Sequence, residues 1–183
     1  MTQQIGQLSY NVFNPTADPG EPADFKFNFI DSFPINDANG INPGRFVEMN
    51  ADNLSVQGPQ QTGATFAAVG VTVIKRGREG AGAVGVTGYG VGGFPYNNGD
   101  VIPVLLNGRI FAEWDPTSTQ TAWGRPNVYH SSTIATNRGM VTFVATSVTA
   151  GVEIAQAPAC VRLRQATPNT GNIVLIDVNL PGA

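Results

Sequence analysis

The sequence predicts an all-β fold: a β-barrel- or sandwich-like domain preceded by an extended Pro/Gly-rich arm and a small sheet, with little or no helix. Three observations carry this. The aliphatic set is β-branched, with 19 valines and 11 isoleucines against 7 leucines. Such side chains lose χ1 freedom in a helix and pack well on a pleated surface. The 22 glycines and 13 prolines of the 183 residues exceed their usual combined share of roughly 12% and punctuate the chain with turns. No ten-residue stretch carries a capped 3.6-residue apolar stripe, whereas short alternating runs recur.

The elements follow in order. Turn signals crowd the first quarter, at Asn14-Pro15, Asp18-Pro19-Gly20-Glu21-Pro22, Phe33-Pro34 and Asn42-Pro43-Gly44. This stretch is read as an arm, from Met1 to about Gly44, running extended over another surface. Phe25, Phe27 and Phe29 alternate with polar residues as in a half-buried strand. Arg45–Met49 is a short strand candidate. Over Phe66–Ile74, Val69, Val71 and Val73 share one face, with Gly70 as a bulge candidate.

Asp100–Leu106 and Arg109–Trp114 flank Asn107-Gly108, the dipeptide that tolerates both positive φ angles of a type I′ turn, so a hairpin is predicted there. Val128–Ile134 and Met140–Ser147 bracket a turn at Asn137-Arg138-Gly139. Val152–Ala155, Ala159–Gln165 and Ile173–Leu180 complete the series. In the last, Val174, Ile176, Val178 and Leu180 face one way and Asp177 and Asn179 the other. In Ala159–Gln165, Val161 and Leu163 point inward and Arg162 and Arg164 outward, with cross-strand pairing to an acid favoured. Glycine at 80, 82, 85, 88, 90, 92, 93 and 99 marks a second composition shift. It divides the chain into residues 1–80, the arm with a small β region, and 81–183, a compact β-barrel-like domain.

Composition excludes several functions. A net charge of −3, with only Lys26 and Lys75 beside the arginines, argues against a nucleic-acid partner, which needs many cations on one face. No run of about 18 apolar residues offers a helical membrane span. The N-terminus lacks a basic then apolar leader, so synthesis in a cytoplasm is expected. A single cysteine, Cys160, and a single histidine, His130, cannot supply a disulfide framework or a closed zinc site. No D-x-D-x-D-G calcium loop is present, and no metal or cofactor is expected.

The G-x-G-x-x-G spacings at Gly80/Gly82/Gly85 and Gly88/Gly90/Gly93 are followed by Phe94-Pro95-Tyr96-Asn97-Asn98-Gly99, which cannot open the helix that a dinucleotide site requires. Asp115, His130 and Ser131 sketch a triad, but no G-x-S-x-G elbow presents the serine. The chain is therefore expected not to be an enzyme. Contact candidates remain: the basic cluster Lys75, Arg76 and Arg78, and the tryptophans Trp114 and Trp123 flanking a Thr/Ser-rich loop. With Tyr129 on an exposed face, those tryptophans would suit a receptor- or carbohydrate-binding β module of head-fibre or tail-fibre type, the alternative function.

The order of short motifs is informative as a whole. Asn14-Pro15-Thr16-Ala17-Asp18-Pro19-Gly20 leads to Ile41-Asn42-Pro43-Gly44-Arg45-Phe46-Val47. Next come Gly63-Ala64-Thr65-Phe66-Ala67-Ala68-Val69-Gly70-Val71 and Tyr96-Asn97-Asn98-Gly99-Asp100-Val101-Ile102-Pro103-Val104. Gly171-Asn172-Ile173-Val174-Leu175-Ile176-Asp177-Val178-Asn179-Leu180-Pro181-Gly182 closes the series. This layout resembles the capsid decoration, or structural cement, proteins of tailed bacteriophages. The resemblance implies a non-catalytic virion protein that binds the outer face of the major capsid protein, bridges neighbouring capsomers and assembles as a homotrimer. The contact residues expected on this reading are Asn14, Pro15, Asp18, Pro19, Lys75, Arg76, Arg78, Trp114 and Trp123. The long Gly80–Gly99 run and the loop between the tryptophans depart from the family's pattern and leave open which surface faces the shell.

Overall fold

The protein is described here from a computed structural model, which describes residues 19–23, 28–60, 67–74, 96–118, 124–130, 137–149, 152–164 and 173–179. Among these residues there are eleven strands and no helix. They are β1 (Phe29–Pro34), β2 (Phe46–Met49), β3 (Val56–Gln57), β4 (Ala68–Thr72), β5 (Val101–Glu113), β6 (Asn127–Tyr129), β7 (Val141–Thr142), β8 (Ser147–Thr149), β9 (Val152–Gln156), β10 (Arg162–Leu163) and β11 (Ile173–Asn179). The all-β expectation holds.

Two antiparallel sheets result. The larger runs β10-β11-β5-β4-β2-β3 with β1 also on β5, and the smaller runs β7-β6-β9-β8. The barrel is not closed. A barrel needs every strand paired on both edges, but the large sheet ends at β10 and β3, each two residues long and unpaired with the other. The smaller sheet packs against the larger instead. Phe46, Val71, Leu105, Ile110, Val174 and Ile176 of the large sheet share one core with Val128, Val141 and Ala155 of the small one. The sheets are also joined through the backbone, where Trp114 bridges Val141 in parallel and the Asp115 amide donates to the Val141 carbonyl at 2.9 Å.

The reverse face of β2, β4 and β5 is covered too, by Ile35, Ile41, Val47, Val56, Tyr96, Ile102, Val104 and Leu106. Two-sided burial explains the apolar content of β5. A third, smaller cluster of Phe111, Ile173 and Leu175, with Ala23 against it, lies on β5 and β11. The strands of residues 29–72 thus pair into the same sheet as β5, β10 and β11.

The Asn107-Gly108 hairpin does not form. β5 is one strand of 13 residues passing straight through the dipeptide, and Asn107 lacks the positive φ that a type I′ turn requires. The reason lies in its partners. β1 and β4 both pair with Val104 and Leu105, so they occupy opposite edges of β5. β11 lies opposite β4 as well, and therefore follows β1 along one edge. The exchange falls at Asn107, which is partnered by Phe29 of β1 and Asn179 of β11. A continuous ladder on both sides outweighs a local turn preference.

Other expectations are adjusted more locally. Val69 does not share the face of Val71 and Val73. The β2–β4 register slips between Val47 and Glu48, leaving Val69 as the extra residue, and it turns to the Ile102 cluster while Val71 and Val73 stay in the main core. Beside this bulge, Gly70 brings β4 so close to β5 that a Cβ would strike Val104 and the Leu105 carbonyl. Phe33-Pro34 is not a turn but the end of β1, paired with Ile102 and Val101. Of the Phe25–Phe29 strand, Phe29 opens β1 and residues 25–27 lie outside the described residues. The single strand expected over Met140–Ser147 is two, β7 and β8, because the Val144 amide turns back onto Thr142 Oγ1. Cys160 sits in the turn before β10 rather than in the strand, half-buried against the main core.

Candidate functional site

Of the nine contact residues expected from the sequence, Asn14, Pro15, Asp18, Lys75, Arg76, Arg78 and Trp123 lie outside the described residues. The Gly80–Gly93 spacings do as well. Pro19 and Trp114 are described, and they are not brought together.

Pro19 belongs to a pair of Pro-Gly turns stacked on each other. Gly20 and Gly44 have φ of +80° and +77°, the region open to glycine in such turns. A Cβ on Gly20 would stand 2.8 Å from the Gly44 amide nitrogen, and one on Gly44 would stand 2.7 Å from that of Gly20. The segment is stitched onto β5 as well, since the Gly20 amide donates to the Phe111 carbonyl and the Ala23 amide to the Arg109 carbonyl. Residues 19–23 therefore dock on the chain's own sheet, and any arm begins before them.

Trp114 is half-buried. Its Nε1 donates to Ser118 Oγ at 3.0 Å, and its ring lies 6.1 Å from that of Phe143 at 50°. Tyr129, expected on an exposed face beside the tryptophans, is buried, and its hydroxyl donates to Asp115 Oδ2 at 2.8 Å. An aromatic sugar platform built from Trp114 and Tyr129 is thus not present.

Charged side chains gather instead where the two sheets meet. Arg45 grips Glu113 with two nitrogens, Nε to Oε2 at 2.5 Å and Nη2 to Oε1 at 3.0 Å, and also reaches the Arg138 carbonyl. Arg138 Nη2 donates to Asp37 Oδ1 at 3.0 Å, and the Gly58 amide donates to Asp37 Oδ2. Arg138 and Asp37 are buried, and Arg45 and Glu113 nearly so, which leaves each partner dependent on the other for solvation. Glu48 accepts from Gln57 Nε2 and the Gln60 amide at Oε1, while its Oε2 is buried without a hydrogen bond. Burial pushes the Glu48 carboxyl above its ordinary value, opposed by those hydrogen bonds and by the charges of His130 and Arg138. Asp115 goes the other way. Burial opposes its charge, but hydrogen bonds from Thr117, Tyr129 and Thr142 outweigh that cost and hold its carboxyl below the ordinary value.

This geometry does not assemble the triad sketched from the sequence. Asp115 is engaged by Thr117, Tyr129 and Thr142. His130 is fully buried, with Nδ1 3.8 Å from Glu153 Oε2. Ser131 lies outside the described residues. The arrangement suits a rigid joint between two sheets.

An outward constellation lies on the large sheet. Arg162, Asp177 and Arg109 are direct cross-strand partners on β10, β11 and β5. Arg109 Nε donates to Asp177 Oδ1 at 3.0 Å and Arg164 Nε to Asp177 Oδ2. The cross-strand pairing expected for this arginine face is present for Arg164, which meets the acid of the neighbouring strand. Arg109 was not singled out from the sequence; only strand register brings it there.

The fold has a counterpart among solved structures. It is similar to a chain in the structure described as the capsid of Myoviridae phage XM1, with a TM-score of 0.61 and 19% identity over 89% of this chain and 90% of that one. No curated protein matches. The family model described as structural cement protein (E217 gp24/Pam3 gp6) matches residues 6–179, and the chain belongs to this phage structural cement family.

Proposed function

We propose that the chain is a non-catalytic virion protein that binds the outer surface of a phage capsid, contacts the major capsid protein and cements neighbouring capsomers. The family match over residues 6–179 carries this reading. The joint between the sheets, made of ion pairs and a backbone bridge with no cleft of convergent catalytic groups among the described residues, is in keeping with it. Many modest contacts repeated over many copies suit such a role better than one deep pocket.

The contact elements are the N-terminal arm with Asn14, Pro15 and Asp18, ending at the docked turn of Pro19, the basic cluster Lys75, Arg76 and Arg78, and the tryptophans Trp114 and Trp123. The chain acts as a homotrimer, made in the host cytoplasm and carried on the virion, with neither nucleic acid nor membrane as partner. Adding the purified chain to shells that lack it tests the role. Saturable co-sedimentation and greater shell resistance to heat are expected, and absence of binding overturns the reading. Deleting residues 2–18, which spares the stacked turns, is expected to weaken occupancy sharply, whereas unchanged occupancy removes the arm from the interface. Sedimentation equilibrium checks the trimer, which a concentration-independent monomer refutes.

A further inference from the structure

We infer that the arginine face of β10, β11 and β5 is the docking surface for a carboxylate-bearing patch of the shell protein. This deepens the capsid-binding role and rests on it. The face is assembled by register. Arg162, Asp177 and Arg109 stand side by side across three strands, and Arg164, just past the end of β10, is bonded through its amide to the Leu175 carbonyl of β11. Both oxygens of Asp177 are taken, one by Nε of Arg109 and one by Nε of Arg164. Each guanidinium is held through Nε, and among the described residues neither Arg109 nor Arg164 makes a hydrogen bond through an Nη. Their side chains are 51% and 53% exposed, against 20% for Asp177. Arg162 is exposed as well, with Nη1 3.3 Å from its neighbour's carbonyl, that of Val161.

Three guanidinium groups therefore surround one carboxylate, on a chain whose net charge is −3. A role confined to stability does not account for them. Exposed ion pairs contribute only about 0–1 kcal/mol, and one arginine would satisfy one aspartate, while each further cation adds repulsion. Asp177 acts instead as a brace, fixing two guanidinium planes so that little side-chain freedom is lost when a second acid arrives. Paired Nη donors match a carboxylate bidentately. A duplex would demand a longer run of cations than these three, so acidic side chains of a protein are the better fit.

The test compares shell binding by wild type, by Arg162→Gln, and by the double variant Arg109→Gln/Arg164→Gln, at about 50 to 300 mM salt. Weakening of about tenfold at 150 mM and a flatter salt dependence are expected for both variants. Arg162→Gln removes one cation without setting an acid beside Asp177, so it decides the matter if the double variant melts early. Wild type that fails to bind shells overturns the capsid role and this inference together. Wild type that binds, with both variants binding equally well, overturns the arginine face alone. Binding of a short DNA duplex by wild type that both variants lose, with shell binding retained, also overturns it and assigns the face to a nucleic acid.

Discussion

Asn28 occupies the space that a side chain at Gly108 would need. A Cβ there would strike Asn28 Oδ1 and stand 3.2 Å from the Asn28 Cα, and Gly108 itself has a φ of +135°. This is the point at which Ala23 is bonded to Arg109 on one edge of β5 and Phe29 is paired with Asn107 on the other. The glycine serves a close approach of two segments rather than a turn. Gly108→Ala is therefore expected to lower stability by about 1–3 kcal/mol through backbone strain and displacement of Asn28. Urea unfolding checks this, and an unchanged midpoint would show that the approach is not constrained.

Truncating Arg45 leaves the Glu113 carboxylate buried without its counter-charge. Arg45→Met alone is expected to cost about 3–5 kcal/mol. Arg45→Met combined with Glu113→Leu should recover much of that loss, because an apolar pair needs no compensation. A double-mutant cycle in guanidinium chloride measures the coupling, and simple additivity would contradict a direct pair.

Glu48 predicts a stability that falls as pH rises. Its folded carboxyl holds a proton more tightly than the unfolded one, whose ordinary value is 4.5. Above that value the unfolded state releases its proton first and is favoured, so stability declines until pH passes the raised folded value. Glu48→Gln removes the titration. Its midpoint should change less than that of wild type as pH is raised from about 4.5 towards neutrality, and parallel curves would refute the assignment.

Asp115 has the opposite sign. Its folded carboxyl lies below the ordinary 3.8, so its stabilisation is present above that pH and is lost as pH falls through the folded value. Tyr129→Phe deletes one of the hydrogen bonds holding it down. A loss of about 1–2 kcal/mol at neutral pH is expected, with the loss shrinking as pH falls through the lowered folded value and the wild-type carboxylate is neutralised. Acid and neutral denaturation series separate this from a packing defect, which would be independent of pH.

What could be read from the sequence was whatever depends on neighbouring residues. Alternation marked β11, short strand candidates fell on β2 and β9, the stacked turns announced themselves as Pro-Gly, and Arg162 and Arg164 showed a shared face. What could not be read depends on distant partners. Asn107-Gly108 carries a genuine turn signal, overruled by β1 and β11 arriving on the same edge. Arg45 and Arg138 look like surface arginines until Glu113 and Asp37, 68 and 101 positions away, bury them. The arginine face was half visible for the same reason: Asp177 and Arg109 join it only through a ladder that spans 68 positions.

The exchange of partners at Asn107 also bears on how the chain acquires its structure. β5 is synthesised with β1 and β4 already made, yet half of one edge waits for β11, more than 60 residues later. Until then the Ile110–Glu113 half of β5 has backbone groups without their ladder, and Ile110 and Ala112 lack the Val174 and Ile176 that cover them in the main core. Such dependence on remote pairing slows folding and leaves a sticky edge open meanwhile. A nascent chain that stalls before residue 173 is thus a ready partner for other unfinished copies, which makes the arrival of β11 the step that closes the sheet to strangers.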